Sequence, residues 1–348
     1  MSASSVAVVV PNRFANLPAN LVALLESREI TDICFNRHDQ VFFDSGQGLR
    51  PYEGIPLFSN ESDYRTFVLE QISKSGKTWD AKLPFVDTVF FQTHRAHIAF
   101  PPLAQYGIYL SLRKLPRKHA CPQLEAQAQA LVRWESSKQA FEILRQATLA
   151  HETILFAGGT GSGKTTLLND LLSFVPEYER MIALEDTAEI SPAHPHFVSL
   201  LSRVPNADGF GGVSLRDLLK QTLRMRPDRV LVGECRGDEV LDLLQALNTG
   251  HRGTLGTLHA NSAKDALRRI ELLALIAARG TIPSQLIKEL LAHGIQKLVF
   301  IARTPEGRKI ETILHIQGME RDIIFTRPVF PPSDMPALRT EIPSSYRR

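Results

Sequence analysis

Nine consecutive residues, Gly158, Gly159, Thr160, Gly161, Ser162, Gly163, Lys164, Thr165 and Thr166, carry the full G-x-x-x-x-G-K-[ST] spacing of a phosphate-binding loop. The chemistry follows from the residue types. Glycines let backbone N–H groups turn inward on phosphate oxygens, and a helix starting at the loop adds partial positive charge. Lys164 then reaches the β- and γ-phosphates, and Thr165 offers its hydroxyl to Mg²⁺. A glycine-rich turn that binds nothing is the bland alternative. Context decides against it, because an apolar, strand-like run (Thr153–Ala157) precedes the loop and a helical pattern (Leu167–Leu172) follows it. The loop is read as a site for a nucleoside triphosphate with Mg²⁺.

Hydrolysis asks for more: a carboxylate to position or deprotonate water, a group on the metal side, and a donor that registers the γ-phosphate. Ligands of an open parallel sheet sit at the carboxyl ends of its strands. Three polar positions fall at such ends. Glu185, followed by Asp186, closes Met181–Leu184; Glu234 follows Arg229–Gly233; His259 closes Thr254–Leu258. Taken singly, Glu185 and Glu234 read as turn or cap residues and His259 as a core histidine. Beside a complete phosphate loop they form a set: Glu185 for the water, Glu234 for the metal side, His259 for the γ-phosphate. Arg224 and Arg226 lead directly into the Glu234 strand. Arg95 and Arg113 stand at strand ends in the first part of the chain, where spacing alone makes them surface charges.

The elements that must hold these groups are legible as two patterns. Residues 1–113 read as a small α+β domain. Its strands are expected at Asp32–Asn36, Gln40–Asp44, Thr88–Gln92, Ala96–Phe100 and Ile108–Leu112, with a helix around Tyr64–Ser73. Residues 114–130, basic at first and then Ala/Gln-repetitive, read as a hinge or linker. Residues 131–330 alternate helix and strand, the signature of an α/β domain with a parallel-rich sheet. Its strands are expected at Thr153–Ala157, Met181–Glu185, Arg229–Gly233, Thr254–His259 and Lys297–Ala302. Ser214-x-x-Asp217 and Ser262-x-x-Asp265 mark helix starts, and Gly250 and Gly280 mark stops. Residues 331–348 read as a fraying tail, and Ser5–Pro11 as a strand or a disordered lead-in.

Composition narrows the class. The 348 residues suit about two domains. A net charge of +3 with 7% aromatics lacks the basic, aromatic-interleaved stretch of a nucleic-acid motor. No direct nucleic-acid partner is expected. Cys34, Cys121 and Cys235 are dispersed and odd in number, which points away from disulfides and from zinc. No apolar run reaches the roughly 20 residues of a transmembrane helix. The expectation is a cytoplasmic protein, peripheral at a membrane through partners.

Taken in order, four segments resemble the traffic ATPases of type II and type IV secretion and type IV pili. They are Ala157–Asn169, Ala183–Glu189, Leu223–Arg229 with Gly233–Gly237, and Thr257–Ser262. The first domain resembles that family's N-terminal domain through Asp32–Asn36, Asp80–Pro84, Arg95, Phe100–Leu103 and Leu112–Lys114. Ile316–Glu320 and the His259 box are most similar to the Tad/Flp-pilus branch. The tetracysteine zinc module of many relatives is absent. The resemblance implies a RecA-like P-loop NTPase domain with ATP as its nucleotide, a homohexamer, and inner-membrane platform or assembly proteins of a pilus or secretion system as partners. It also implies that Arg113, Arg95 and Arg226 reach nucleotide phosphates, with the first domain closing over the second. Three other classes share parts of this pattern: a RecA-like nucleic-acid motor, a phosphate-loop kinase, for which no lid-like insert is found, and an ATP-gated scaffold that scarcely hydrolyses.

Overall fold

Alternation of apolar and polar residues builds the first unit, and continuous apolar runs build the second. The computed structural model describes residues 14, 17–27, 29–46, 48–82, 84–115, 122–205, 209–304, 307–331 and 338–339. It divides the chain between Pro116 and Arg117. The reading of Ser5–Pro11 and most of the 331–348 tail lie outside the described residues.

The first unit runs α1 (Ala19–Glu26), β1 (Asp32–Arg37), β2 (Gln40–Asp44), β3 (Leu49–Pro51), α2 (Glu61–Lys74), β4 (Phe85–Phe90), β5 (His94–Ala99) and β6 (Tyr109–Lys114). Its sheet is antiparallel throughout, in the order β3-β2-β1-β6-β5-β4. Period-2 patterning turns Val86, Phe90, Ala96, Ile98, Leu110 and Leu112 to the core. Phe35, Phe58, Tyr64 and Phe67 fill it, with ring centroids 5.0–6.1 Å apart. Helix α2 starts three residues before the expected Tyr64 because the Asn60 side chain accepts the Asp63 N–H at 2.9 Å. Strand β4 begins and ends earlier than expected because Phe91 and Gln92 take φ of 55° and 60° in the turn to β5.

The second unit opens with α3 (Gln123–Arg133), α4 (Lys138–Leu149), β7 (Ile154–Ala157), α5 (Lys164–Leu172), β8 (Met181–Glu185), β9 (Phe197–Leu201), α6 (Leu215–Thr222) and β10 (Arg229–Val232). It continues with α7 (Glu239–Asn248), β11 (Leu255–Leu258), α8 (Ala263–Ala278), α9 (Ser284–Gly294), β12 (Lys297–Thr304), β13 (Gly307–Glu320), β14 (Ile323–Phe330) and β15 (Leu338–Arg339). The sheet order is β15-β14-β13-β12-β7-β11-β10-β8-β9. From β12 to β9 every pairing is parallel, and β13 to β15 add antiparallel strands at one edge.

Strands β7, β8, β10 and β11 are buried on both faces, as strands sandwiched between helices must be. Ile154, Phe156 and Leu231 pack toward α4 and α5; Leu155, Ile182 and Val230 pack toward α6 to α9. Truncating a fully buried Leu231 to alanine costs about 2–5 kcal/mol by the cavity it leaves.

The segment expected as a linker divides differently. Lys114 ends β6, and residues 116–121 lie outside the described residues. Gln123–Arg133 is a helix of the second unit. Its Ala/Gln run favours helix, Ala126 and Ala130 are buried, and the Gln123 amide donates to the carbonyls of Ser173 and Val175 at 2.7 and 2.8 Å. Residues 123–130 of the stretch read as hinge are therefore docked helix.

Candidate nucleotide site

The loop leaves β7 at Ala157 and enters α5 at Lys164, so the first turn of a helix points its free N–H groups into the loop. Two of the glycines are required by φ: Gly161 at +72° and Gly163 at +100°. Gly158 is required by contact, since a Cβ there would lie 2.4 Å from the Ile301 carbonyl oxygen and 2.6 Å from Ser162 Oγ. Lys164 Nζ donates to the carbonyls of Gly158 and Gly159, both at 2.9 Å. Its pKa is lowered by burial, against which Glu234 and then Glu189 pull upward. Ser162 Oγ is buried without a hydrogen-bond partner among the described residues, an unmet polar atom in the loop.

Sheet order then decides what surrounds the loop. On one side of β7 come β11, β10 and β8, whose carboxyl ends bring His259, Glu234 and Glu185. Glu185 is 1% exposed. Its Oε1 accepts the N–H groups of Glu189 and Ile190 at 2.8 and 2.7 Å, and its Oε2 accepts the Ser199 hydroxyl at 3.3 Å. Burial outweighs these bonds and pushes the carboxyl up to about 7. Oε1 serves the 185–190 turn and Oε2 accepts from Ser199 on β9, so Oε2, with a single donor, is the oxygen with acceptor capacity left for water. Asp186 accepts the Ser202 hydroxyl at 2.6 Å, which makes it a turn residue.

The turn that Glu185 anchors presents Glu189, a carboxylate whose place the strand pattern does not mark. Thr165 Oγ1 donates to Glu189 Oε2 at 3.3 Å. Asn169 on α5 fixes the same turn: its amide donates to the Glu189 carbonyl at 3.1 Å, and its oxygen accepts the Ser191 N–H at 2.8 Å. Glu234 is ion-paired with Arg236, whose guanidinium also lies 4.0 Å from Asp186. Glu239 holds this segment by accepting the backbone N–H groups of Arg236 and Gly237 at 2.6 and 2.8 Å. Cys235 is a buried filler, its thiol pKa raised by burial. His259 is exposed at the end of β11. The signal for Glu189 was its spacing from Glu185, since four residues suffice to close a carboxylate-capped turn.

Of the other expected residues, Arg226 belongs to the second unit and Arg95 and Arg113 to the first. Arg226 is exposed with φ of 53°, and among the described residues no hydrogen bond or ion pair ties it to the loop. Arg95 and Arg113 lie in the first unit as direct cross-strand partners on β5 and β6. Like charges placed opposite each other repel. Asp32, opposite Arg113 on β1, offsets this by accepting its Nε–H at 2.8 Å.

These groups fit a nucleotide and its metal. The loop supplies N–H donors and an ammonium. Glu189, which accepts from Thr165, and Glu234, whose charge acts on Lys164, are the groups from which the one or two carboxylates of a phosphate-bound Mg²⁺ would come.

A mixed sheet carrying a phosphate loop at an inner strand, with carboxylates at the neighbouring strand ends, defines a P-loop α/β protein. The family model described as "Type II/IV secretion system protein" matches residues 64–312, and the chain belongs to that family. A putative conjugal transfer protein of Mycobacterium tuberculosis is 39% identical over 295 residues, covering 83% of this chain and 81% of its own. A type IV secretion system protein PtlH homolog of Bordetella bronchiseptica is 33% identical over 292 residues, covering 76% and 84%. The solved pilus retraction motor PilT shares the fold at 19% identity, with a TM-score of 0.56 over 90% of this chain and 83% of that one. The ATPase DotB of Legionella pneumophila does so at 18% identity, with a TM-score of 0.55 over 87% and 81%.

Proposed function

We propose that this chain is an Mg²⁺-dependent ATPase that powers a type IV secretion or pilus machine. The observation that carries the reading is the gathering of Glu185, Glu189 and Glu234 on the Thr165 side of a complete phosphate loop. A bound Mg²⁺ would supply positive charge against the phosphates. Lys164 leaves its two loop carbonyls for the β- and γ-phosphates. Thr165 and Glu234 hold the metal side, with Glu189 beside Thr165. Glu185, with its carboxyl near neutrality, takes the proton of the attacking water on Oε2. His259, exposed at the end of β11, registers the γ-phosphate.

The finer reading rests on resemblance. It has six copies forming a ring, Arg113 and Arg95 reaching phosphates from the first domain, and Arg226 acting in the same site. Membrane-platform proteins of a Tad/Flp-type pilus or a related secretion system receive the motion. Names of relatives include conjugal transfer and type IV secretion proteins, which supports the broader machine class.

The test is phosphate release by the purified chain with ATP and Mg²⁺. Lys164→Ala is expected to remove at least about 10²–10³ of the rate, the scale for losing one charge-stabilising group. Turnover unchanged in that variant overturns the reading. Light scattering under saturating nucleotide tests the hexamer, and a monomer there sinks it.

A further inference from the structure

The side of the loop away from the carboxylates is built from arginine. Strand β12 runs past its last pairing with β7, Phe300 to Ala157, as far as Thr304, and turns back as β13. The overhang lies along the loop: the Ile301 carbonyl is the atom that a Cβ on Gly158 would strike. Arg303 and Arg308 are direct cross-strand partners on it. A Cβ on Gly161 would lie 3.8 Å from Arg303 Nη1, and one on Gly163 only 2.7 Å from Arg308 Cδ. Arg308 Nη1 reaches Thr166 Oγ1 at 3.4 Å.

Like charges opposed on a hairpin repel, so this pair needs an offset. Arg308 has none among the described residues. The charged groups that face it are Arg303 on its partner strand and Arg133 on α3, and Arg133 is already paired with Asp170. Although Arg308 is open to solvent on its outer side, burial against the loop comes first in lowering its pKa, then those two arginines. A guanidinium keeps its charge nonetheless. Such a group, laid over a phosphate loop with no carboxylate partner among the described residues, calls for an anion.

Position says which anion. Lys164 and Thr165 serve the terminal phosphates and the metal, on the carboxylate side. Thr166 is one step further round α5, and consecutive helical residues do not share a face. With the β- and γ-phosphates assigned to Lys164, the phosphate left for that face is the one nearest the nucleoside. We propose, resting on the nucleotide reading above, that Arg308 binds a non-bridging oxygen of the α-phosphate of the bound nucleoside di- or triphosphate. Thr166 steadies the guanidinium there, and Arg303 adds its positive field. The contact is common to ATP and ADP. It sets nucleotide affinity and takes no part in cleaving the γ-phosphate bond.

The experiment is calorimetric titration of the full chain with ADP, with ATP, and with the Rp and Sp diastereomers of ADP carrying sulfur on the α-phosphate, all with Mg²⁺. Arg308→Gln is expected to weaken ADP and ATP by the same factor, about tenfold or more, the scale of one charge-assisted hydrogen bond. The wild type is expected to prefer one diastereomer, and Arg308→Gln to lose that preference. Arg308→Lys, which keeps the charge and supports the fold, is expected to fall between. ADP affinity held within about twofold in Arg308→Gln overturns the proposal, as does a loss confined to ATP, or a diastereomer preference that survives. A wild type that binds neither nucleotide overturns the nucleotide reading itself, which is a separate failure.

Discussion

The two flanks of the phosphate loop are opposite in charge and in construction. One flank is acidic, assembled from the ends of β8 and β10 and from the turn that Glu185 holds shut. The other is basic, assembled from a single hairpin whose two arginines face each other. The acidic groups are almost all engaged: Glu185 by three donors, Glu189 by Thr165, Glu234 by Arg236. On the basic flank, Arg308 meets a threonine hydroxyl and other cations among the described residues. An acidic flank held closed by internal bonds suits chemistry that must wait for substrate and metal. A basic flank whose Arg308 pairs with no carboxylate among the described residues suits capture. On the proposed function, binding and cleavage would be divided between the two sides of β7.

Substitutions on the acidic flank break the comparison most sharply. Glu185→Gln is expected to lower kcat by about 10²–10⁴, the contribution of a general base, in steady-state phosphate release. The same series over pH gives a second signature. In the wild type kcat/KM is expected to rise as pH climbs through about 7, because the base must be ionised, and Glu185→Gln removes that limb. Glu189→Gln is expected to act through the metal instead. The Mg²⁺ concentration for half-maximal rate should increase about 10- to 100-fold, while Arg308→Gln leaves it in place.

Stability carries a smaller effect of the same carboxyl. Its pKa is raised from 4.5 to about 7 on folding, so between those values the native state holds a proton that the unfolded chain has lost. Stability therefore falls as pH rises across that window, by on the order of 3 kcal/mol. Denaturant unfolding at both ends of the window should show the slope, and Glu185→Gln should flatten it. The smallest effect is expected from Ser199→Ala. Ser199 stabilises the ionised carboxylate through a 3.3 Å bond, so its loss moves the acid limb of the rate profile upward by roughly a few tenths of a pH unit. A downward move contradicts the assignment.

The legible parts of the site were those encoded in contiguous sequence. The loop announces itself because its φ demands and its strand–helix frame lie within about twenty residues. Glu185, Glu234 and His259 were found because a parallel sheet exposes its strand ends, and the strands are short apolar runs. The Ser214 capping box formed as its spacing implied. At Ser262 the hydroxyl accepts the Asp265 N–H. Elsewhere the pattern misled: the Ala/Gln stretch before residue 131 looked like a linker because its few buried alanines give a weak apolar stripe.

By itself, then, the sequence determined the phosphate loop, the α/β alternation and the candidates at strand ends, since each depends on near neighbours and on intrinsic backbone preference. Only the tertiary structure decided which groups share the loop. Arg308 meets Thr166 across 142 positions of sequence, and Glu189 reaches Thr165 because a buried carboxylate closes the turn between them. Strand order placed cations on one side of β7 and carboxylates on the other. No local pattern encodes that order, because it is fixed by which apolar faces pack together when the sheet closes against its helices.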